Sequence, residues 1–422
     1  MDFVQPLGYF IVAAAALHAA FAAASHFTRT RAAARQGAED LALFRERARI
    51  LLERTEIERD RTELSWAGKR RFVVEKREIE NPAKDICSFY LRPHDGRTLP
   101  PFHPGQFLTF ELDVPGQSEP VVRCYSLSQG AHIRDCYRVS IKRVGAPPKA
   151  PEGTPPGISS NFFHDEIQEG TIVQALAPGG DFFLDEESSR PVVLIGGGVG
   201  LTPVMSMLDT LVETGSNREI WFFYGARHRE EHAMYDRMKQ VDRENPNVHM
   251  VICYSNPTDT CVEGDDYTHK SRVSVELMKE LLPSSNYEFY ICGPPPMMES
   301  IVNDLEEWGV PEDDINFEAF GPATVKKADA PPTVEDGTSY PVEFARSGKT
   351  LDWKPELGSL LQLGTANGVK MRSGCKIGNC GSCSTAIRDG KIEYMSKPTH
   401  KPEQGSCLVC VARPTGPLVL DA

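Results

Sequence analysis

The chain has 422 residues, of which 40% are hydrophobic and 25% charged, with a formal net charge of −13. That length supports two or three domains with their own cores, and the acidic balance argues against nucleic acid as a partner, because a phosphate backbone needs a basic surface. The 11 cysteines are odd in number and mostly scattered, which argues against a secreted disulfide framework and for a reducing compartment.

No charged residue occurs from Phe3 to Thr28, where Ala, Leu, Phe, Val and Ile dominate and Gln5, Pro6, His18, Ser25 and His26 are the exceptions. The stretch is long enough for a spanning helix of about 20 residues. Arg29, Arg31 and Arg35 come directly after it, and by the positive-inside rule they put the carboxyl-terminal side of the stretch in the cytoplasm. The expectation is a transmembrane anchor over residues 1–28, single-pass in the inner (cytoplasmic) membrane, with catalytic domains in the cytoplasm. A cleaved signal peptide is the rival, but Asp2 stands after Met1 where such a peptide has a basic region. Residues 29–68 read as a charged helical spacer, with one exposed helix over 38–65. There Leu41, Phe44, Ala48, Leu51 and Thr55 recur at three- and four-residue steps, and Arg54 and Glu58 lie one turn apart. The stripe covers about two heptads, fewer than a coiled coil needs.

From Arg71 the pattern changes to short alternating runs, Phe72-Val73-Val74, Ile86 to Leu91, Gln106 to Leu112 and Tyr137 to Lys142, separated by turn residues. An antiparallel β-barrel over 69–187 is predicted. From Pro191, Val192-Val193-Leu194-Ile195 reads as a buried strand, with further strands at Ile220 to Tyr224, Val248 to Cys253 and Glu288 to Cys292 and helical stretches between. That alternation predicts a parallel-sheet α/β domain over 188–321. Residues 322–339 lack periodicity and read as a linker. Residues 340–422 form a third, small domain.

Two motifs carry chemistry by themselves. After the first strand of the α/β domain, Gly196-Gly197-Gly198-Val199-Gly200-Leu201-Thr202-Pro203 opens a helix. Glycines let a backbone approach a pyrophosphate, and a helix N-terminus supplies positive partial charge. In the small domain, Cys375, Cys380 and Cys383 stand in a C-x4-C-x2-C run, the plant-type [2Fe–2S] spacing. Gly374, Gly378 and Gly381 allow the loop to fold closely round a cluster. A fourth thiolate must come from Cys407 or Cys410. Zinc also takes four thiolates, but the four-residue gap and the glycines favour the cluster.

Further segments resemble the ferredoxin–NADP reductase superfamily fused to a C-terminal ferredoxin domain. These are His103-Pro-Gly-Gln-Phe107, Arg123-Cys124-Tyr125-Ser126, Gly157-Ile-Ser159-Ser160-Asn161-Phe162, Cys292-Gly293-Pro294-Pro295-Pro296-Met297 and Phe317-Glu318-Ala319-Phe320. The resemblance covers about residues 70–422, in the order of phthalate dioxygenase reductase. It implies a flavin held by Arg123, Tyr125 and Ser126, with its pyrophosphate on Gly157, Ser159, Ser160 and Asn161, which favours FAD over FMN. It implies a nucleotide on Gly196, Gly197, Gly198, Gly200, Thr202, Pro203, Gly293, Pro294 and Met297, with Cys292 placing the nicotinamide and Phe320 beside the flavin. Tyr125, Ser126, Cys292 and Phe320 are the catalytic candidates. The ferredoxin ending G-x-x-L-x-C selects Cys410 as fourth ligand beside Cys375, Cys380 and Cys383, and the small domain becomes a β-grasp ferredoxin. Ala226, Glu230 and Glu231 favour NADH, while Arg227, itself a candidate nucleotide contact, and Arg229 point to NADPH, the alternative. The implied protein is an NADH-dependent reductase passing single electrons through FAD and the cluster to a membrane-associated oxygenase, desaturase or similar protein acceptor. The nucleotide domain is also similar to the flavin subunit of the sodium-pumping NADH:quinone reductase. That similarity implies the alternative, a subunit of a respiratory complex, although there the ferredoxin precedes the flavin domain.

Overall fold

The computed structural model describes residues 4–118, 120–146, 156–320, 339–374, 376, 378, 381–395, 398, 400 and 402–422. The linker expected at 322–339 therefore lies outside the described residues except for Ser339, as do Cys375 and Cys380. The chain divides into two compact units, Met1–Glu63 and Leu64–Ala422.

The first unit is one helix, α1 (Val4–Glu63, 60 residues), about 90 Å long at 1.5 Å per residue. It runs without a break through the stretch expected to divide into anchor and spacer. Its carboxyl-terminal turns carry one-turn ion pairs, such as Arg59 with Glu56 at 3.4 Å and with Glu63 at 3.9 Å. Phe10, Leu17, Phe21, Phe44 and Leu51 are all exposed. Among the described residues no helix is long and apolar enough to cross a membrane. This overturns the transmembrane anchor expected at 1–28, and with it the single-pass inner-membrane placement and the membrane contact. The physical reason lies in composition. The expectation rests on freedom from charge, and Gln5, Pro6 and His18 interrupt the apolar run.

The second unit opens with six antiparallel strands: β1 (Arg70–Ile79), β2 (Ile86–Pro93), β3 (Phe107–Leu112), β4 (Val121–Ser126), β5 (Tyr137–Lys142) and, after helix α2 (Ile158–Asp165), β6 (Ile172–Ala175). Their order is β4-β3-β6-β1-β2-β5. A bridge between Leu127 and Val139 and the Ser128 N–H donated to the Arg138 carbonyl join the two edges, so the sheet closes as a barrel. Alternation does the sorting: Phe72 and Val74 of β1, Phe89 and Leu91 of β2, and Leu108, Phe110 and Tyr137 meet inside, fully buried.

Next come β7 (Val192–Gly197), α3 (Leu201–Glu213), β8 (Ile220–Ala226), α4 (Tyr235–Glu244), β9 (Val248–Tyr254), α5 (Val275–Leu281), β10 (Glu288–Gly293), α6 (Pro295–Glu307) and β11 (Ile315–Ala319). The sheet is wholly parallel, in order β11-β10-β7-β8-β9. Every residue of β7 and of β10 is buried, because both faces are covered. Leu194 and Phe222 pack with Val204 and Leu208 of α3, while Val193 and Ile195 pack with Met278 of α5 and Ile301 and Leu305 of α6. Strand order reverses between β7 and β10, so the crevice at their carboxyl ends is where such a sheet receives its ligand.

The last elements are β12 (Tyr340–Phe344), β13 (Lys349–Trp353), α7 (Leu360–Ala366), β14 (Ser384–Asp389), β15 (Ile392–Tyr394), β16 (Ser406–Leu408), β17 (Ala412–Pro414) and β18 (Leu418–Leu420). A mixed sheet, β13-β12-β18-β14-β16, holds α7 through Val342, Phe344, Trp353, Leu360, Leu363 and Leu420, a β-grasp arrangement. Ser359 caps α7 with Gln362 closing the reciprocal bond.

Since each unit is compact by itself, a fragment beginning at Leu64 is expected to lose less than about 1 kcal/mol of stability. By calorimetry its Tm should lie within about 2–4 °C of the full chain. A fall of more than about 10 °C would show that α1 supports the second unit.

Candidate flavin, nucleotide and cluster sites

The strand expected to hold the flavin is β4. Arg123 and Tyr125 project to one face of it and the buried Ser126 to the other. Arg123 is exposed, with its guanidinium on the Val122 carbonyl at 2.7 Å. Tyr125 stands among rings, 5.3 Å from Phe163 of α2 and 5.9 Å from Phe110. Its hydroxyl lies 2.9 Å from Ser159 Oγ, and burial pushes its pKa up to about 12, so it is a neutral donor or acceptor at any working pH. The fold thus brings the R-x-Y-S strand to the start of α2. The α2 N-terminus has no side-chain cap, which leaves backbone N–H groups for an anion. A Cβ on Gly157 would lie 2.8 Å from Ser160 Oγ and 2.9 Å from Val144, so the entry is backbone packed on side chain.

Ser160 and Asn161 have local duties. The Ser160 hydroxyl accepts from the Val144 N–H at 3.3 Å. Asn161 donates to the carbonyls of Val144 at 2.8 Å and Gly157 at 2.7 Å, and accepts from Arg143 at 3.1 Å. Asn161 therefore clamps together residues 144 and 157 at the start of α2. His103 stacks on Phe183 at 4.5 Å, and His164 is buried with Nε2 2.8 Å from the Ile141 carbonyl oxygen; both are structural.

The glycine turn and the C-G-P-P segment meet face to face. A Cβ on Gly197 would lie 2.5 Å from Met297 Sδ and 2.9 Å from Pro294 Cδ. A Cβ on Gly200 would lie 2.5 Å from the carbonyl carbon of Cys292 and 2.6 Å from the Gly293 nitrogen. Gly196 pairs with Cys292 in the ladder. Gly198 takes φ +55° with nothing near it, the left-handed conformation that glycine adopts without strain. Thr202 Oγ1 donates to the Val199 carbonyl at 3.1 Å, and Thr202 and Pro203 are buried in the first turn of α3. Residues 196–203, 292–294 and 297 thus form one wall.

Cys292 is fully buried, and burial, then the charge of Glu318, hold its thiol well above the usual range. It is therefore a neutral, fully buried group. Glu318 of β11 pairs with Cys292 across the ladder and is itself buried. Sequence reasoning took Phe320 from this segment and passed over Glu318; a charged residue between two aromatics at a strand end was the available signal. Phe320 is 37% exposed at the end of β11. Arg227 is held by Glu231, Nε to Oε2 at 2.9 Å.

In the ferredoxin fold, Cys383 Sγ and Cys410 Sγ lie 3.0 Å apart, both buried. Cys407 sits in the β14–β16 ladder opposite Thr385, and burial pushes its thiol up to about 12. Gly378 and Gly381 take φ +83° and +67°. A Cβ on Gly378 would meet Pro398 at 3.0 Å, and one on Gly381 would meet the His400 ring at 2.5 Å. The loop's glycines fit the close wrapping a cluster requires.

Two family models match the chain, the oxidoreductase NAD-binding domain over residues 194–303 and the 2Fe-2S iron-sulfur cluster binding domain over 342–415. The FAD/NAD-binding domain of nitric oxide dioxygenase from Vibrio cholerae O1 biovar El Tor is 31% identical, with a TM-score of 0.51, over 60% of this chain and 99% of that one. The chain belongs to the ferredoxin–NADP reductase superfamily. It carries an oxidoreductase NAD-binding domain and a C-terminal [2Fe–2S] ferredoxin domain, and its relatives support FAD and the cluster as cofactors. Phthalate dioxygenase reductase matches with 28% identity and a TM-score of 0.52 over 84% of this reductase and 98% of that chain. A flavohemoprotein of Halalkalibacterium halodurans is 40% identical over 258 residues. The reductase spans about three fifths of the length of the curated relatives it matches.

Of the two candidates for fourth ligand, the geometry favours Cys410. Cys410→Ser should remove the visible absorption of the cluster, while Cys407→Ser should keep it, as read from the spectrum of the reconstituted protein. The opposite pattern would make Cys407 the ligand.

Proposed function

We propose that this chain is an NADH-dependent reductase that delivers electrons singly, through FAD and its [2Fe–2S] cluster, to an oxygenase, desaturase or similar protein acceptor. The observation that carries the reading is the match to phthalate dioxygenase reductase over nearly all of that protein. Its structure is described as modular, for electron transfer from pyridine nucleotides to [2Fe–2S]. When bound, FAD would take hydride as an electron pair and release it singly to the cluster.

The chain's own residues have definable parts in this. Tyr125 and Phe163 give the flavin an apolar, water-poor flank, and the uncapped start of α2 with Arg123 gives its phosphates positive partners. The glycines at 197 and 200 let the turn pack directly on Pro294, Met297 and the Cys292–Gly293 peptide, and Gly198, with nothing near it, leaves the turn open to a pyrophosphate. Cys375, Cys380, Cys383 and Cys410 would hold the cluster. NADH is favoured over NADPH because the Arg227 guanidinium already bonds Glu231, whose carboxylate would repel a 2′-phosphate.

Cys375→Ser is expected to lower cytochrome c reduction to below about one hundredth of wild type while leaving NADH-to-ferricyanide activity intact. Survival of both activities in a cluster-free variant would overturn the proposed exit.

A further inference from the structure

Helix α3 joins the two sites, and it does so through polar side chains that the chemistry above leaves unused. Its apolar residues Leu201, Val204, Met205, Met207 and Leu208 enter the core of the parallel sheet. Ser206, Asp209 and Thr210, at i, i+3 and i+4, form a second face, and all three are buried. Buried polar groups need partners. Here the partners belong to the loop after the flavin strand and to β5. Ser206 Oγ donates to the Gln129 carbonyl at 2.6 Å. Thr210 Oγ1 accepts from the Ala131 N–H at 2.8 Å while donating to the Ser206 carbonyl at 2.7 Å. Asp209 accepts from Arg237 of α4 at 2.8 Å and lies 3.8 Å from Arg138 of β5.

The loop so gripped has little freedom. Only Leu127 and Ser128 separate Ser126 from Gln129. Both are fully buried, and their N–H groups go to the Gln106 and Arg138 carbonyls. The Gln129 amide donates to the Cys136 carbonyl at 2.7 Å, and its carbonyl oxygen takes the Arg138 N–H. At its other end α3 starts on Gly200, in contact with the Cys292–Gly293 peptide. One rigid helix therefore runs from the nucleotide wall to the residues directly after Tyr125 and Ser126.

We propose that Ser206 and Thr210, braced by Asp209, are positioning residues that set the approach of the nicotinamide site to the flavin strand. The inference rests on the reductase reading given above. Neither hydroxyl lies in the glycine turn, so their loss should alter spacing rather than nucleotide affinity.

The test uses the full-length holoprotein, with Thr210→Val, the hydroxyl-keeping Thr210→Ser, and Ser206→Ala. Two readouts are taken: amide hydrogen exchange over residues 127–131, and anaerobic flavin bleaching by NADH and by 4-deuterated NADH. Thr210→Val should speed exchange at Ala131 and slow bleaching about 10-fold. The isotope effect should be kept or raised, and the dependence on NADH concentration unchanged. Thr210→Ser should restore both readouts. Ser206→Ala should behave like Thr210→Val and carries the expectation should that variant fail to fold. Faster exchange with bleaching within about twofold of wild type would make these bonds merely structural and overturn the proposal. A wild-type protein that NADH does not bleach would overturn the reductase reading, and the inference with it.

Discussion

The structure depends on one close approach of backbone to backbone. α3 begins so near the end of β10 that the Gly200 Cα faces the Cys292–Gly293 peptide with no room for a side chain. Everything that defines the nucleotide wall stems from that contact. It brings Gly197 against Pro294 and Met297, it fixes the start of α3 at the crevice between β7 and β10, and it buries Cys292 completely. A parallel sheet whose order reverses at β7 and β10 offers a ligand only this crevice. The glycines let the turn and the end of β10 close on each other at this crevice.

From that starting point the geometry extends outward through α3. Its apolar side fills the core and its polar side holds the loop after β4, so the flavin strand and the glycine turn share one rigid element. A second seam runs beside it, where the Met234 N–H donates to the Glu80 carbonyl and the Ala83 N–H to that of Glu230. This seam ties the β1–β2 turn to the loop that bears Arg227 and Glu231. Burial of hydrogen-bonded polar groups gives little net stability but strongly penalises any rearrangement that leaves them unpaired. Such seams suit a protein whose two halves must keep a fixed separation.

Much of this was legible in the sequence where a motif states its own physics. The strand–glycine–helix run at 192–203 reads as a backbone approach to a pyrophosphate, and the structure shows the same glycines admitting the Cys292–Gly293 peptide, Pro294 and Met297. The alternation Phe72, Val74 and the continuous run Val192–Ile195 separated a one-sided barrel strand from a two-sided parallel strand. The cysteine at 410 was picked from its setting, and its Sγ lies 3.0 Å from that of Cys383. Other features depend on partners far away in sequence. Ser206 finds Gln129 across 77 residues, and nothing in S-x-x-D-T announces that. Asn161 is read from its motif alone, and its side-chain bonds to the Val144 and Gly157 carbonyls cannot be seen there. The N-terminal stretch reads as an anchor from its freedom from charge, which alone does not make a span, and among the described residues no helix is long and apolar enough to cross a membrane.

The most direct measurement compares Gly200→Ala with Gly198→Ala. Both add one methyl group to the same turn. At Gly198 the methyl points into open space and meets only the strain of φ +55°, about 1–2 kcal/mol. At Gly200 it meets the peptide of Cys292 and Gly293. With FAD and cluster absorption intact in both proteins, Gly200→Ala should weaken NADH binding or flavin reduction by at least about 100-fold, and Gly198→Ala by no more than about 10-fold. Equal losses in the two variants, or normal reduction in Gly200→Ala, would contradict the claim that this backbone contact organises the site.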